Sequence, residues 1–327
     1  MTAPMMKAVG VTRYGGPEVL ELIEVPRPST GPKQIRVRVH AATVNPGDFV
    51  LRNGDLDEVL EAGPLTPPYI PGMEAAGVVD EVGEEAITDL LVGDRVMAIV
   101  MPIDATGGAY AEYLVLDPDQ VTRMPVGATF AEAATLPMSG LTARRALDLL
   151  ALDTGASVAI TGSAGAVGGY AVQLAKADGL CVVADAAPAD ETLVASLGAD
   201  QIVARGTGVG ERIRQWWPQG VDAAVDTVSR GEEIASAVRD DGQVAVVPVP
   251  HNGVFDSIDL GRGITVSQVW VPEYTHAHDK LDALRVLADN RQLLLRVART
   301  YPAADAAQAH RALAAGGVRG RLVLVFD

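Results

Sequence analysis

Three glycines spaced three apart, Gly162, Gly165 and Gly168, stand in the run Thr161-Gly162-Ser163-Ala164-Gly165-Ala166-Val167-Gly168-Gly169. Chemistry of one kind needs that pattern. A turn tight enough to bring backbone N–H groups against a pyrophosphate leaves no room for side chains, and a helix opening there offers free N–H groups and a partial positive charge. An apolar stretch, Ser157–Thr161, precedes the glycines, and Val167–Ala177 has a helical pattern. A second apolar stretch, Leu180–Ala184, leads to Asp185, 17 residues after Gly168. That is about where a carboxylate meets a ribose hydroxyl of a dinucleotide. A second segment with polar groups at turn spacing is Asn45-Pro46-Gly47-Asp48. An amide and a carboxylate there can donate to and orient a reacting oxygen, or simply build a turn. The five histidines form no ligand pattern beyond His276-x-His278, in a polar stretch that reads as a solvated turn. Cys181 is the sole cysteine, and its apolar neighbours suggest a buried thiol on a strand. One cysteine builds neither a disulfide nor a cysteine-based zinc site.

The elements that must carry these residues change along the chain. The first third has short strand signals at Lys7–Val11, Leu20–Val25, 35–39, Ala75–Val82, Val96–Met101 and Ala109–Leu116, punctuated by Gly and Pro. This predicts a β-barrel or sandwich. Helical patterns follow at Phe130–Leu136 and Thr142–Leu152. From Ala156 strands and helices alternate, ending with a helix over Glu232–Val238 and a strand over Gln243–Val249. Such alternation predicts a doubly wound parallel sheet. Two helices, Lys280–Ala288 and Ala303–Ala315, and a strand, Arg321–Phe326, close the chain. With 327 residues and roughly 100–200 residues per domain, two domains are expected. The net charge of −16 works against nucleic acid and anionic lipid as partners. No apolar run approaches the roughly 18 residues of a membrane span, and no signal core opens the chain, so a cytoplasmic protein is expected.

Several segments in order resemble the medium-chain dehydrogenase/reductases, and within them the zinc-free, zeta-crystallin-like quinone oxidoreductases. They are the opening hairpin Met6–Val25, Val44-Asn45-Pro46-Gly47-Asp48, Ile70-Pro71-Gly72-Met73-Glu74-Ala75-Ala76-Gly77-Val78-Val79, Val92-Gly93-Asp94-Arg95-Val96, Gly107-Gly108-Ala109-Tyr110-Ala111-Glu112-Tyr113, Ala134-Thr135-Leu136-Pro137, Leu141-Thr142-Ala143, the glycine run and Leu197-Gly198-Ala199-Asp200. The resemblance implies an α/β protein: a GroES-like β-barrel domain over residues 1–122 and 273–327, and a Rossmann domain with a doubly wound parallel sheet over residues 123–272. It implies an active site in the cleft between them, with Asn45 and Asp48 in it. The zinc ligands of related alcohol dehydrogenases correspond to Asn45 and Met73 here, and neither is a usual zinc ligand, so no metal is expected. Relatives often carry an aromatic hydroxyl just after this segment. Phe49, Val50 and Leu51 offer none, leaving Tyr69 or water as proton donor. Cofactor contacts are expected at Thr142, Gly162, Ser163, Ala164, Gly165, Ala166, Val167, Gly168, Asp185, Arg205, Val247 and Arg321.

The choice between NADPH and NADH stays open on residues. Asp185, Asp190 and Glu191 would repel a 2′-phosphate, whereas Arg205 and Arg321 could grip one. Without a metal to stabilise an alkoxide, conjugated acceptors suit the site better than simple alcohols, because hydride addition spreads charge over a delocalised oxyanion. A small-molecule quinone or enone is the expected substrate. An enoyl reductase of a biosynthetic pathway, or a cofactor-binding protein with little catalysis, are the alternatives. The β-prone segment Gly263–Val271 predicts an edge strand and a homodimer.

Overall fold

The structure is a computed structural model that describes residues 4–55, 67–104, 107–248 and 259–326. His251 lies outside them. The strands in chain order are Met5–Val11 (β1), Leu20–Pro26 (β2), Ile35–Thr43 (β3), Glu74–Val82 (β4), Arg95–Ile99 (β5), Tyr113–Leu116 (β6), Val121–Arg123 (β7), Ser157–Thr161 (β8), Cys181–Ala186 (β9), Gln201–Ala204 (β10), Val221–Asp226 (β11), Val238–Val246 (β12), Thr265–Gln268 (β13), Val297–Pro302 (β14) and Arg321–Val325 (β15). The helices are Pro46–Asn53 (α1), Phe130–Ala133 (α2), Pro137–Leu150 (α3), Ala166–Ala177 (α4), Glu191–Ser196 (α5), Val209–Arg214 (α6), Glu232–Ala235 (α7), His278–Asp289 (α8) and Ala306–Ala314 (α9).

Two large sheets result. Strands β14-β15-β3-β4-β5-β7 form one, with β6 also pairing β3, and every strand contact there is antiparallel except β14 with β15. The alternation over Ile35–Val39 buries Ile35, Val37 and Val39 inside this GroES-like half. The second sheet, ordered β10-β9-β8-β11-β12-β13, is parallel throughout, as strand-helix alternation requires. Its central strands β8 and β11 are almost wholly buried on both faces, so they read as continuous apolar runs.

One helix ties the halves together. Leu141, Ala143, Ala146, Leu147 and Leu150 of α3 pack in a single core with Met97 and Ile99 of β5 and with Val158 and Ile160 of β8. Each such buried leucine contributes roughly 1.5–3 kcal/mol, so the two sheets are joined through one shared core. Among the described residues no helix is long and apolar enough to cross a membrane.

Two expectations need correction. The helix expected over Glu232–Val238 stops at Ala235, because Val238 already pairs with Val221 at the start of a longer β12. Cys181 is exposed rather than buried, because it opens β9 at the sheet's end, where only the following residues are covered.

Candidate active site

The glycine run sits at the carboxyl end of β8 and opens α4. Gly162 has φ +67°, in the left-handed region that glycine enters without strain. A Cβ on Gly168 would stand 2.3 Å from the Gly162 carbonyl oxygen, so that position tolerates no side chain. Gly165 caps the helix in extended geometry, and its N–H donates to Gly162 O at 2.8 Å. Arg296 braces the loop from beneath, donating to Ala164 O at 3.1 Å and Gly165 O at 2.5 Å. The N-terminal turn of a twelve-residue helix is thereby presented on a fixed loop.

At the carboxyl end of β9, Asp185 is 8% exposed and turned inward. Its Oδ1 accepts from Ser163 N–H at 3.1 Å. Burial raises its pKa above the ordinary carboxylate range, against the pull of the Ser163 and Gly162 N–H groups and the Arg205 charge. Asp190 takes a bidentate grip from Arg319, Nε to Oδ1 at 2.6 Å and NH2 to Oδ2 at 2.7 Å, which lowers its pKa. The Arg205 charge acts on Asp190 as well.

The second cluster gathers where β3, β4 and β15 meet α1. Arg321 of β15 donates to Asn45 Oδ1 at 2.6 Å, and also to Thr43 Oγ1 and Glu74 Oε1. Thr43 Oγ1 in turn donates to Glu74. The other oxygen of Glu74 accepts from Met138 N–H of α3 at 2.7 Å. Asn45, Glu74 and Arg321 are all buried. The Asn45 amide nitrogen makes only long contacts, 3.3–3.5 Å, to Thr43 and Glu74. Asp48 lies below the turn, accepting from Asn45 N–H at 2.8 Å, Gly72 N–H at 2.8 Å and Tyr110 Oη at 3.0 Å. Burial raises its pKa to about 6 despite those three donors. A Cβ on Gly47 would meet the Met73 sulfur at 2.6 Å, so Met73 also borders the turn. The two clusters adjoin: the Tyr170 hydroxyl, on α4, feels the charges of Glu74, Arg321 and Arg296.

The alcohol dehydrogenase GroES-like domain matches residues 31–126, and a zinc-binding dehydrogenase domain matches residues 197–324. A quinone-oxidoreductase homolog of spinach chloroplasts is 36% identical over 210 residues, 62% of either chain. The quinone-oxidoreductase QR1 of Triphysaria versicolor is 34% identical over 236 residues, 70% of either chain. A mycobacterial protein solved in complex with NADPH superposes with TM-score 0.83 at 26% identity, over 98% of this chain and 100% of the other. The chain belongs to the quinone oxidoreductase family. It is a medium-chain oxidoreductase with a GroES-like domain and a nicotinamide-binding Rossmann fold.

Residues expected at the site of this family member lie in two adjoining clusters. Gly162 to Gly168 form the loop, Asp185 lies under it, and Asn45 and Asp48 share the turn. Thr142, on α3, donates its hydroxyl to Met138 O at 2.7 Å, one turn from the Glu74 contact. Val247 follows β12, its N–H on Asp226 O at the sheet's carboxyl edge. Tyr69 pairs through its backbone with Val11, its ring lies 5.7 Å from Tyr14, and it packs in the barrel core. Arg321 hydrogen-bonds Glu74, Asn45 and Thr43 within the Asn45 cluster. His276 joins Asp119 at 2.8 Å and lies by Asp117 on the surface, while His278 opens α8 and among the described residues belongs to no such group. Glu74, Thr43, Tyr110, Arg296, Arg319 and His310 are missed by sequence reasoning. Glu74 and Tyr110 lie inside the segments quoted above, but His310 and Arg296 carry no local signal at all.

Proposed function

We propose that this chain transfers hydride from NADPH to a quinone or a conjugated enone, with no zinc in the reaction. The observation that carries the reading is the Asn45 amide. Arg321 occupies its oxygen, which leaves its N–H group, bound only by long contacts, as the end free to donate. A nicotinamide cofactor supplies the hydride when bound. The residues present fit such a group. Arg321 Nε and Ser139 Oγ are buried without a hydrogen-bond partner beside the cluster, and the α4 N-terminus stands open behind the glycine loop. One well-placed donor on a developing oxyanion contributes about 2.7–4 kcal/mol. That suits an acceptor whose charge is already delocalised.

Two features support the absence of zinc. Asn45 and Met73 offer an amide and a thioether. The Arg321 guanidinium already occupies the cluster as a cation, and Glu74 is committed to it. A second cation there would be repelled.

The adenosine end supports NADPH. Asp185 accepts from the Ser163 N–H of the loop, Asp190 is paired with Arg319, and the Arg205 charge acts on both carboxylates. Replacing Arg205 or Arg319 by Ala is expected to lower the ratio of kcat/KM for NADPH over NADH about tenfold, the scale of one lost charge-assisted contact. A ratio that moves less than about threefold in both variants would overturn this assignment. The same reading takes residues 1–122 and 273–327 as the catalytic domain and 123–272 as the dinucleotide domain, in a cytoplasmic homodimer joined along β13.

A further inference from the structure

Behind Asp48 a polar chain continues through Tyr110, His310 and Arg52. Tyr110 Oη lies 3.0 Å from Asp48 Oδ2 and 3.1 Å from His310 Nε2. His310 Nδ1 lies 3.0 Å from Arg52 NH1. Asp48, Tyr110 and His310 are 0% exposed and Arg52 is 7% exposed. The chain thus joins both ends of α1 to the segment before β6 and to α9.

Its direction is fixed at the Arg52 end. A guanidinium only donates, so His310 Nδ1 must accept, and the neutral ring carries its proton on Nε2. That N–H donates to Tyr110 Oη, which keeps its own proton for Asp48. Each link holds the state this order needs. Burial, and then the Arg52 charge, push the His310 pKa down to about 3, so it stays neutral. Burial, and then Asp48, hold Tyr110 well above the usual phenol range. Among the described residues Arg52 has no carboxylate within ion-pair distance; its other donors go to Gly15 O and Asn53 Oδ1, each at 3.0 Å. A buried cation and a buried anion are therefore linked through two neutral groups. Arg321 from β15 also acts on Asp48, Glu74 from β4 on Tyr110, and Glu18 and Asp55 on Arg52.

We propose that His310 is a positioning residue for hydride transfer. By fixing the direction of the chain, it keeps Asp48 as the acceptor that binds the Asn45 and Gly72 backbones together, and so sets where the Asn45 amide stands. This rests on the reading of Asn45 as the donor at the reacting oxygen. A displacement of about 1 Å in such a donor is enough to slow a reaction a hundredfold.

The test compares wild type with His310→Leu and His310→Gln, using NADPH and 9,10-phenanthrenequinone. A glutamine amide can accept from Arg52 and donate to Tyr110, preserving the direction, whereas leucine breaks it. His310→Leu is expected to lower kcat at least about tenfold while NADPH affinity, measured by calorimetry, stays within about twofold. His310→Gln is expected to recover most of that loss. An unchanged kcat in His310→Leu, or a His310→Gln as slow as His310→Leu, would overturn the proposal. Should His310→Leu fail to bind NADPH, Tyr110→Phe cuts the same chain one link on, and an unchanged kcat there overturns it equally. A wild type that reduces no quinone would instead refute the functional reading. The chain is then judged alone by 15N spectra of His310, which must show a neutral Nε2–H ring from about pH 5 to 9. A protonated ring, or the other tautomer, contradicts it.

Discussion

Arg321 and Glu74 form the most enclosed ion pair of the molecule among the described residues, with side chains 6% and 0% exposed. A buried pair of this kind contributes little net stability while intact, but losing one partner leaves a charge with no compensation. Arg321→Met is therefore expected to cost about 3–5 kcal/mol in denaturant unfolding. Adding Glu74→Gln should recover a large part of that cost; a double variant as unstable as the single one would contradict the pairing. Asp48 makes a pH-dependent case. Its folded-state pKa of about 6 lies above the ordinary carboxylate value, so the folded chain holds that proton more tightly than the unfolded one. The resulting stability is fully present below about pH 4 and is lost as pH rises to about 6. Two pH units amount to about 3 kcal/mol. Unfolding of wild type and Asp48→Asn at pH 4 and pH 7 should show the variant gaining up to about that much relative to wild type on going to the higher pH. A difference independent of pH would place the Asp48 pKa near its unfolded value.

The β8–loop–α4 unit is where sequence and structure agree most closely, because its chemistry depends on backbone and on small residues that are visible as such. Gly165→Val tests it. A Cβ there would lie 3.0 Å from Gly162 O, and the γ-methyls would stand over the helix N-terminus. Dinucleotide affinity should fall on the order of 100-fold or more, about 2.7 kcal/mol, with near-wild-type melting; unchanged affinity by calorimetry would mean the pyrophosphate lies elsewhere. The parallel sheet was equally legible, since covered strands are apolar throughout and their helices alternate with them. The Asn45 cluster was only half legible. Asn45 and Asp48 lie in one short segment, but Glu74 and Arg321 reach it from strands separated from it in sequence and brought together by the pairing of β3 with β4 and β15. The contact of Arg321 with Glu74 depends on strand register, which no local sequence pattern reveals. His310 is one polar residue within an amphipathic helix, and no spacing rule links it to Asp48. Cys181 is misread because an apolar neighbourhood does not reveal which strand residue comes first at the sheet's end.

At the scale of the molecule, α3 packs the two sheets on one core. β13 ends the parallel sheet among the described residues, beside Trp270, 48% exposed. Light scattering at micromolar concentration should give twice the 34.0 kDa chain mass, and a monomer would rule out the dimer along this edge. The central claim is hydride transfer directed by Asn45 and Arg321 without zinc. Its most direct test is steady-state reduction of 9,10-phenanthrenequinone, followed by loss of NADPH absorbance, on protein dialysed exhaustively against a chelator and assayed for metal by elemental analysis. The account predicts undiminished turnover with no stoichiometric zinc; activity that vanishes on chelation and returns with one zinc per chain would contradict it.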